Sequence, residues 1–241
     1  MSNISFVEDS AVKTFYSYAL YHEVREIDFP ASLNELNEEW CCETFDLINI
    51  INNYFVFKYN NYLLGKTDEN EDEFDNFLFA KRNIREVSIP PNIKVISPYA
   101  FDMCRYLRAI EIPTNSNLQT NGSYAFTLAE VSEIYFPASL KELEKEWCCA
   151  MSRLRRINVS QLNKKFVFKD SIYLLGKTDE NEDDYDILLF ARRDIREISI
   201  PSNIKIIATN AFDHCCNLKK VEIPTNSNLQ IIESNAFSCL K

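Results

Sequence analysis

The chain has 241 residues, 46% hydrophobic and 26% charged, which excludes wholesale disorder and supplies a core without metals or disulfide staples. A formal net charge of −10 argues against nucleic acid or anionic lipid as partners, since both require concentrated Lys and Arg, and favours a protein ligand with a basic surface. Three glycines leave no phosphate-cradling loop, and no stretch approaches the ~20 apolar residues of a membrane span.

The first ten residues have neither a basic start nor an apolar run of signal-peptide length. Strand-like triplets then follow along the chain: Ile27-Asp-Phe29, Ile48-Asn-Ile50, Val87-Ser-Ile89, Ile110-Glu-Ile112, Ile134-Tyr-Phe136, Ile157-Asn-Val159, Ile198-Ser-Ile200 and Val221-Glu-Ile223. Each alternates apolar, polar, apolar, the period of a half-buried strand. Successive triplets start 21 to 24 residues apart, apart from two long intervals of 39 and 41. That spacing falls in the range of leucine-rich repeats. Pro30, Pro90, Pro113, Pro137, Pro201 and Pro224 close six of the triplets, because proline cannot donate the next ladder bond.

A second apolar cluster follows, as at Ile93, Val95 and Ile96, or Ile204, Ile206 and Ile207. Beyond it stand Ala100 to Leu107 and Ala211 to Leu218, whose Phe, Cys and Leu would share one side of a short helical turn. One coil therefore reads as strand, corner, short helix and return. The long intervals add strand segments 55–57, 62–64 and 77–79, repeated at 166–168, 173–175 and 188–190, with an acidic loop between the last two. Each set reads as a β-hairpin hanging off the solenoid wall.

The pattern is itself duplicated. Glu26 to Cys42 returns 107 residues later as Glu133 to Cys149, and Tyr62 to Asp72 returns 111 residues later as Tyr173 to Asp183. The expected fold is an α/β repeat: a leucine-rich-repeat solenoid with a short-strand parallel sheet on its concave face. Short helices would cover the convex side, with two β-hairpin excursions. Residues 1–241 would form a single solenoid with internal long repeats at about 18–123 and 124–241.

The run Ile198-x-Ile-Pro-x-x-Ile-x-x-Ile-x-x-x-Ala-Phe-x-x-Cys-x-x-Leu218, and its counterpart from Val87 to Leu107, resembles the BspA-like leucine-rich-repeat family. Leu174 to Arg193 looks like the trichomonad branch of that family. The resemblance runs from about residue 18 to the C-terminus. It implies a non-enzymatic binding protein of surface or secreted type, engaged in adhesion or host interaction. The chain shows no signal peptide or anchor and ends in mid-coil at Lys241, which is expected of a fragment, a truncated copy or a poorly capped protein. An intracellular scaffold or regulatory subunit on the same repeat is the alternative.

No cofactor is expected. The eight cysteines include adjacent pairs, which suit neither a disulfide framework nor zinc spacing and read as buried free thiols. Asp68, Asn70 and Asp72 occupy the first oxygen positions of a calcium loop, but Glu73 stands where the turn glycine belongs and Phe79 where a bidentate Glu is required. A solvated hairpin tip is the default reading. His214 adjoins Cys215, yet no base-orienting context makes a thiol catalyst of them. Trp40 and Trp147 read as repeated core filling. Asn3, Asn121 and Asn158 begin glycosylation-type tripeptides, at chance level.

The candidate binding residues are the triplet middles, which should face outward from the strands: Asp28, Asn49, Ser88, Glu111, Tyr135, Asn158, Ser199 and Glu222. Glu26, Glu86, Glu133 and Glu197 precede four of the triplets, with Arg156 and Lys220 as exceptions. This makes an acidic, hydrogen-bonding strip suited to a basic protein segment, or an ordinary row of solvated strand positions.

Overall fold

The structure, a computed structural model, describes residues 2–7, 9–20, 24–41, 47–50, 52–68, 70, 72–181 and 183–238. Its strands begin with β1 (Ser2–Ile4), β2 (Thr14–Phe15), β3 (Val24–Phe29), β4 (Glu35–Leu36) and β5 (Leu47–Ile50). Then come β6 (Phe55–Lys58), β7 (Tyr62–Gly65), β8 (Asn76–Ala80), β9 (Glu86–Ser88), β10 (Val95–Ile96), β11 (Ala109–Glu111) and β12 (Thr120–Asn121). The second half repeats the series as β13 (Glu133–Phe136), β14 (Glu142–Leu143), β15 (Arg156–Val159), β16 (Phe166–Lys169), β17 (Tyr173–Gly176) and β18 (Ile187–Ala191). It closes with β19 (Glu197–Ser199), β20 (Ile206–Ile207), β21 (Lys220–Glu222) and β22 (Ile231–Ile232).

These strands wind a β-solenoid with two parallel walls. The first wall stacks β1-β3-β5, then β9-β11, β13-β15 and β19-β21, each hydrogen-bonded pair running parallel and, apart from a register shift between Ser2 and Asn3, in register. All eight triplets fall on this wall, and β1 adds a coil before the first of them. Their apolar members point inward, with Ile27, Ile48, Val87, Ile110, Ile134, Ile157 and Ile198 all buried. The corner prolines point the chain to the second wall, where two-residue strands stack with the longer β8 and β18 as β2-β4, β8-β10-β12-β14 and β18-β20-β22. Burying each Ile, Leu or Phe contributes roughly 1.5–3 kcal/mol, so the stack and not any single coil supplies stability.

The expected short helices are absent among the described residues. Ala100 to Leu107 and its counterparts form consecutive tight turns, because a left-handed residue recurs every fourth position: Tyr99 and Met103, Tyr124 and Leu128, Glu146 and Ala150, Asn210 and His214, all with φ between 54° and 61°. A helix cannot pass through such residues. Their amides reach the next coil instead, as Phe101 N donates to Ala125 O at 2.8 Å and Phe212 N to Ala236 O at 2.7 Å. The rings then stack coil on coil, Phe77 to Phe101 at 4.7 Å and Phe101 to Phe126 at 5.2 Å between centroids. The periodicity of Phe, Cys and Leu was that of a stacked turn.

The excursions do contain hairpins, but these are built into the wall and do not hang from it. β6, β7 and β8 form an antiparallel meander, and β8 also pairs in parallel with β10 through Asn76 opposite Val95 and Phe77 opposite Ile96. β16, β17 and β18 repeat this, with Ile187 opposite Ile206. Two left-handed residues turn each first hairpin, Tyr59-Asn60 and Asp170-Ser171, the geometry that matches strand twist. Asn52 and Asn163 start the meanders, each donating to two carbonyls of the preceding coil (Pro30 and Leu33; Pro137 and Leu140).

Candidate functional site

All eight triplet middles stand outward. Asn49, Ser88, Glu111, Ser199 and Glu222 are exposed, while Asp28, Tyr135 and Asn158 are half-buried between neighbours. Amide-to-carboxylate bonds tie adjacent coils across this face. Asn3 donates to Glu26 at 2.9 Å, Asn49 to Asp28 at 2.6 Å, and Asn158 to Glu133. Such bonds leave each carboxylate further acceptor sites for a ligand.

Among the described residues the first wall's strand ladders are interrupted between β5 and β9, between β11 and β13, and between β15 and β19. The first and last of these breaks, beside the meanders, form two seams. The ends of the meanders stand there. At the second seam the Tyr173 hydroxyl donates to Ser199 O at 2.7 Å, anchoring the meander to β19. Each seam is flanked by a cleft. One of about 490 Å³ lies beside Tyr59, Tyr62, Glu86, Ser88 and Glu111. The other, of about 580 Å³, lies between β15 and the second meander and is lined by Arg155, Arg156, Asn158 and Arg192. Ser88, Glu111 and Asn158 are thereby brought to clefts, whereas Asp28, Asn49 and Glu222 are not.

Two buried arginines, Arg82 and Arg193, lie against the outer turns beside the meander coils. A coil that carries a meander contributes no outer turn, so the turns on either side meet directly. Ala150 N donates to Asp213 at 2.8 Å across that gap, and the Asn210 amide to Glu146 at 3.4 Å. Arg82 and Arg193 fill the remaining space. Their guanidinium groups sit 4.6 Å over Phe79 and 4.4 Å over Phe190, and donate to Ala100 O at 3.1 Å and Ala211 O at 3.0 Å. The only signal in the sequence is the duplicated Phe79-Ala-Lys-Arg82 and Phe190-Ala-Arg-Arg193.

The acidic loops are closed by their own last carboxylate. Asp75 accepts from the Thr67 amide at 2.7 Å and hydroxyl at 2.6 Å and pairs with Lys94 at 3.0 Å; Asp186 does the same with Thr178 and Lys205. Burial raises both pKa values, but these bonds outweigh it and hold both carboxyls below the usual range. Asp68, the first ligand of the calcium pattern, accepts two bonds from Asn70.

Cys41 is buried, and Cys104, Cys148 and Cys215 are buried free thiols; Cys42, Cys239 and His22 lie outside the described residues. Burial pushes Cys148 up to about 12 and Cys149 up to about 11, which makes thiolate scarce at neutral pH. His214 Nδ1 lies 2.9 Å from Asp213, while the Cys215 thiol faces the carbonyls of Ala191 and Arg192. Trp40 and Trp147 are buried in the core. Of the glycosylation-type asparagines, Asn121 is buried at 1% exposure, which rules its side chain out as an acceptor in the folded state.

Residues 72–174 and 188–241 match the BspA type leucine rich repeat region in six copies. The chain belongs to the BspA-type leucine-rich-repeat family. Among solved structures it is similar to the pneumococcal vaccine antigen PcpA, with a TM-score of 0.64 and 17% identity over 98% of this chain and 58% of that one. A leucine rich cell surface protein from Faecalibacterium prausnitzii aligns at TM-score 0.56 and 16% identity, over 96% and 69% of the two chains. A leucine-rich repeat protein from Eubacterium ventriosum gives 0.53 and 17%, over 90% and 52%. At these identities the likeness is one of fold, and this BspA-type chain spans little more than half of the first and last of these. Among curated proteins, none matches its sequence. No helix among the described residues is long and apolar enough to cross a membrane.

Proposed function

We propose that this BspA-type solenoid is a non-enzymatic protein-binding scaffold, a surface-type adhesion or host-interaction module that uses the outer face of its first wall. The observation that carries this reading is the row of outward side chains from Asp28 to Glu222 on a rigid, hydrogen-bonded stack. Rigid spacing lowers the ordering cost of binding an extended partner. The acidic members, Asp28, Glu111 and Glu222 with Glu26, Glu86, Glu133 and Glu197, suit a basic protein segment. The whole of residues 1–241 acts as one unit in this reading, supported by an apolar cluster that runs from Tyr62 to Phe190 across the boundary between the long repeats.

The surface assignment draws on two likenesses described as a vaccine antigen and a cell surface protein. The trichomonad-type assignment rests on Leu174 to Arg193. Staining of an epitope-tagged copy on intact cells tests display, and signal only after permeabilisation rejects it. For the face itself, Asp28→Lys with Glu111→Lys should weaken binding of a purified partner by at least about tenfold, as should raised salt. Binding unchanged by both rejects the acidic strip. The free thiols favour a second reading, an intracellular scaffold on the same fold, because disulfides are the usual staples of exported domains.

A further inference from the structure

The cleft between β15 and the second meander differs in sign from the rest of the face. Arg155 and Arg192 share a single carboxylate, Asp194, at 3.7 and 2.6 Å. Arg156 faces Glu133 at 4.0 Å, and Glu133 is also occupied by the Asn158 amide. Three cations thus stand against two carboxylates, with the Arg155 and Arg156 side chains 49% and 68% exposed. The cleft's other wall is apolar and aromatic, with Val159, Phe168 and Tyr185 half-buried along it.

This cluster is not a by-product of the coil. At the first seam Leu47 occupies the register of Arg156, opposite Glu26 as Arg156 is opposite Glu133. Lys81, a buried cation that donates to Asn60, stands in the place of Arg192. The exposed cation at Arg156 therefore belongs to one copy of a duplicated frame, in a molecule whose net charge of −10 would repel an acidic ligand elsewhere.

We propose that this cleft is a subsite for an acidic peptide segment of a partner protein, one with carboxylates flanking an apolar or aromatic side chain. The guanidinium forks of Arg155 and Arg156 take carboxylates in bidentate fashion. Val159, Phe168 and Tyr185 receive the apolar side chain. The subsite shares Glu133 and Asn158 with the strip, but its test reads Arg155 and Arg156, whereas the strip is tested at Asp28 and Glu111.

The test uses the full chain and a short fluorescent peptide of glutamates around one phenylalanine, read by anisotropy at low salt. Saturable binding is expected, weakened at least about tenfold by Arg155→Glu with Arg156→Glu. It should be unaffected by Arg85→Glu with Arg108→Glu, two exposed arginines on the same wall outside the cleft. Replacing the phenylalanine by serine should also weaken it. If the Arg155 and Arg156 pair fails to fold, Arg156→Gln alone carries the test, with a loss of about threefold. Absence of saturable binding, equal loss in both arginine pairs, or tighter binding of a sulfated oligosaccharide of matched charge overturns the proposal.

Discussion

The two seams share a frame and differ at the rim. Phe55-Val-Phe-Lys58 and Phe166-Val-Phe-Lys169 run the same course, Asn52 and Asn163 make the same two bonds, and Arg82 and Arg193 plug the same gap. At the rim, Leu47 stands in the register of Arg156, and the buried Lys81 in the place of the more exposed Arg192. Groups that satisfy buried backbone are held in both copies, while rim positions of the same coil differ in charge or exposure. Function on such a scaffold is therefore sought in the differences between copies.

The largest expected effect tests the shared part. Arg82→Ala and Arg193→Ala should each lower unfolding free energy by about 3 kcal/mol, from a lost charged hydrogen bond and a desolvated ring contact. Urea titration of each variant would show it. A loss below about 1 kcal/mol in either would mean the arginines do not fill the missing turn.

The next sharpens the difference between β12 and β22. Thr120-Asn121 stands where the second half has Ile231-Ile232, and Asn121 is buried with neither side-chain polar atom bonded among the described residues. Its neighbours across the ladder are Ile96 and Leu143. Asn121→Leu should raise stability by about 1–2 kcal/mol, since it removes an unsatisfied buried amide. A lower melting temperature would contradict this.

The paired loop clamps give the pH dependence. Asp75 and Asp186 are held below their unfolded pKa, near 3.9, so each contributes stability above that value. The contribution is lost as pH falls through the lower folded value. Stability should fall from about pH 4 downward, and Asp75→Asn with Asp186→Asn should be less stable at neutral pH and flatter in acid. An unchanged acid slope in that variant would sink the assignment. The smallest effect is at a left-handed position: Ala150→Gly, at φ 56°, should gain about 0.5–1 kcal/mol.

The walls of the solenoid were legible because alternation and proline placement report directly on which strand faces are buried. β1 was not, since Asn3-Ile4-Ser5 lacks a second inward apolar residue or a closing proline. The outer turns misread as helices for a physical reason. Their Phe, Cys and Leu spacing fits a helix face equally well, and the left-handed residues that exclude it are Tyr, Met, Asn and His in place of glycine. The outward side chains were legible from strand period alone. The seams were not, because the break between β15 and β19 depends on where the meander ends, and the arginine cleft follows from that break.

The most direct test of the central claim is site-specific photocrosslinking in the native cell, with the probe at Glu111 or Tyr135 on the first wall and at Lys141 near the second. The account predicts a discrete partner adduct from the first-wall positions, lost on Asp28→Lys with Glu111→Lys when the probe is at Tyr135, and absent from Lys141. Adducts of equal yield from Lys141, or none from the first wall, would contradict it.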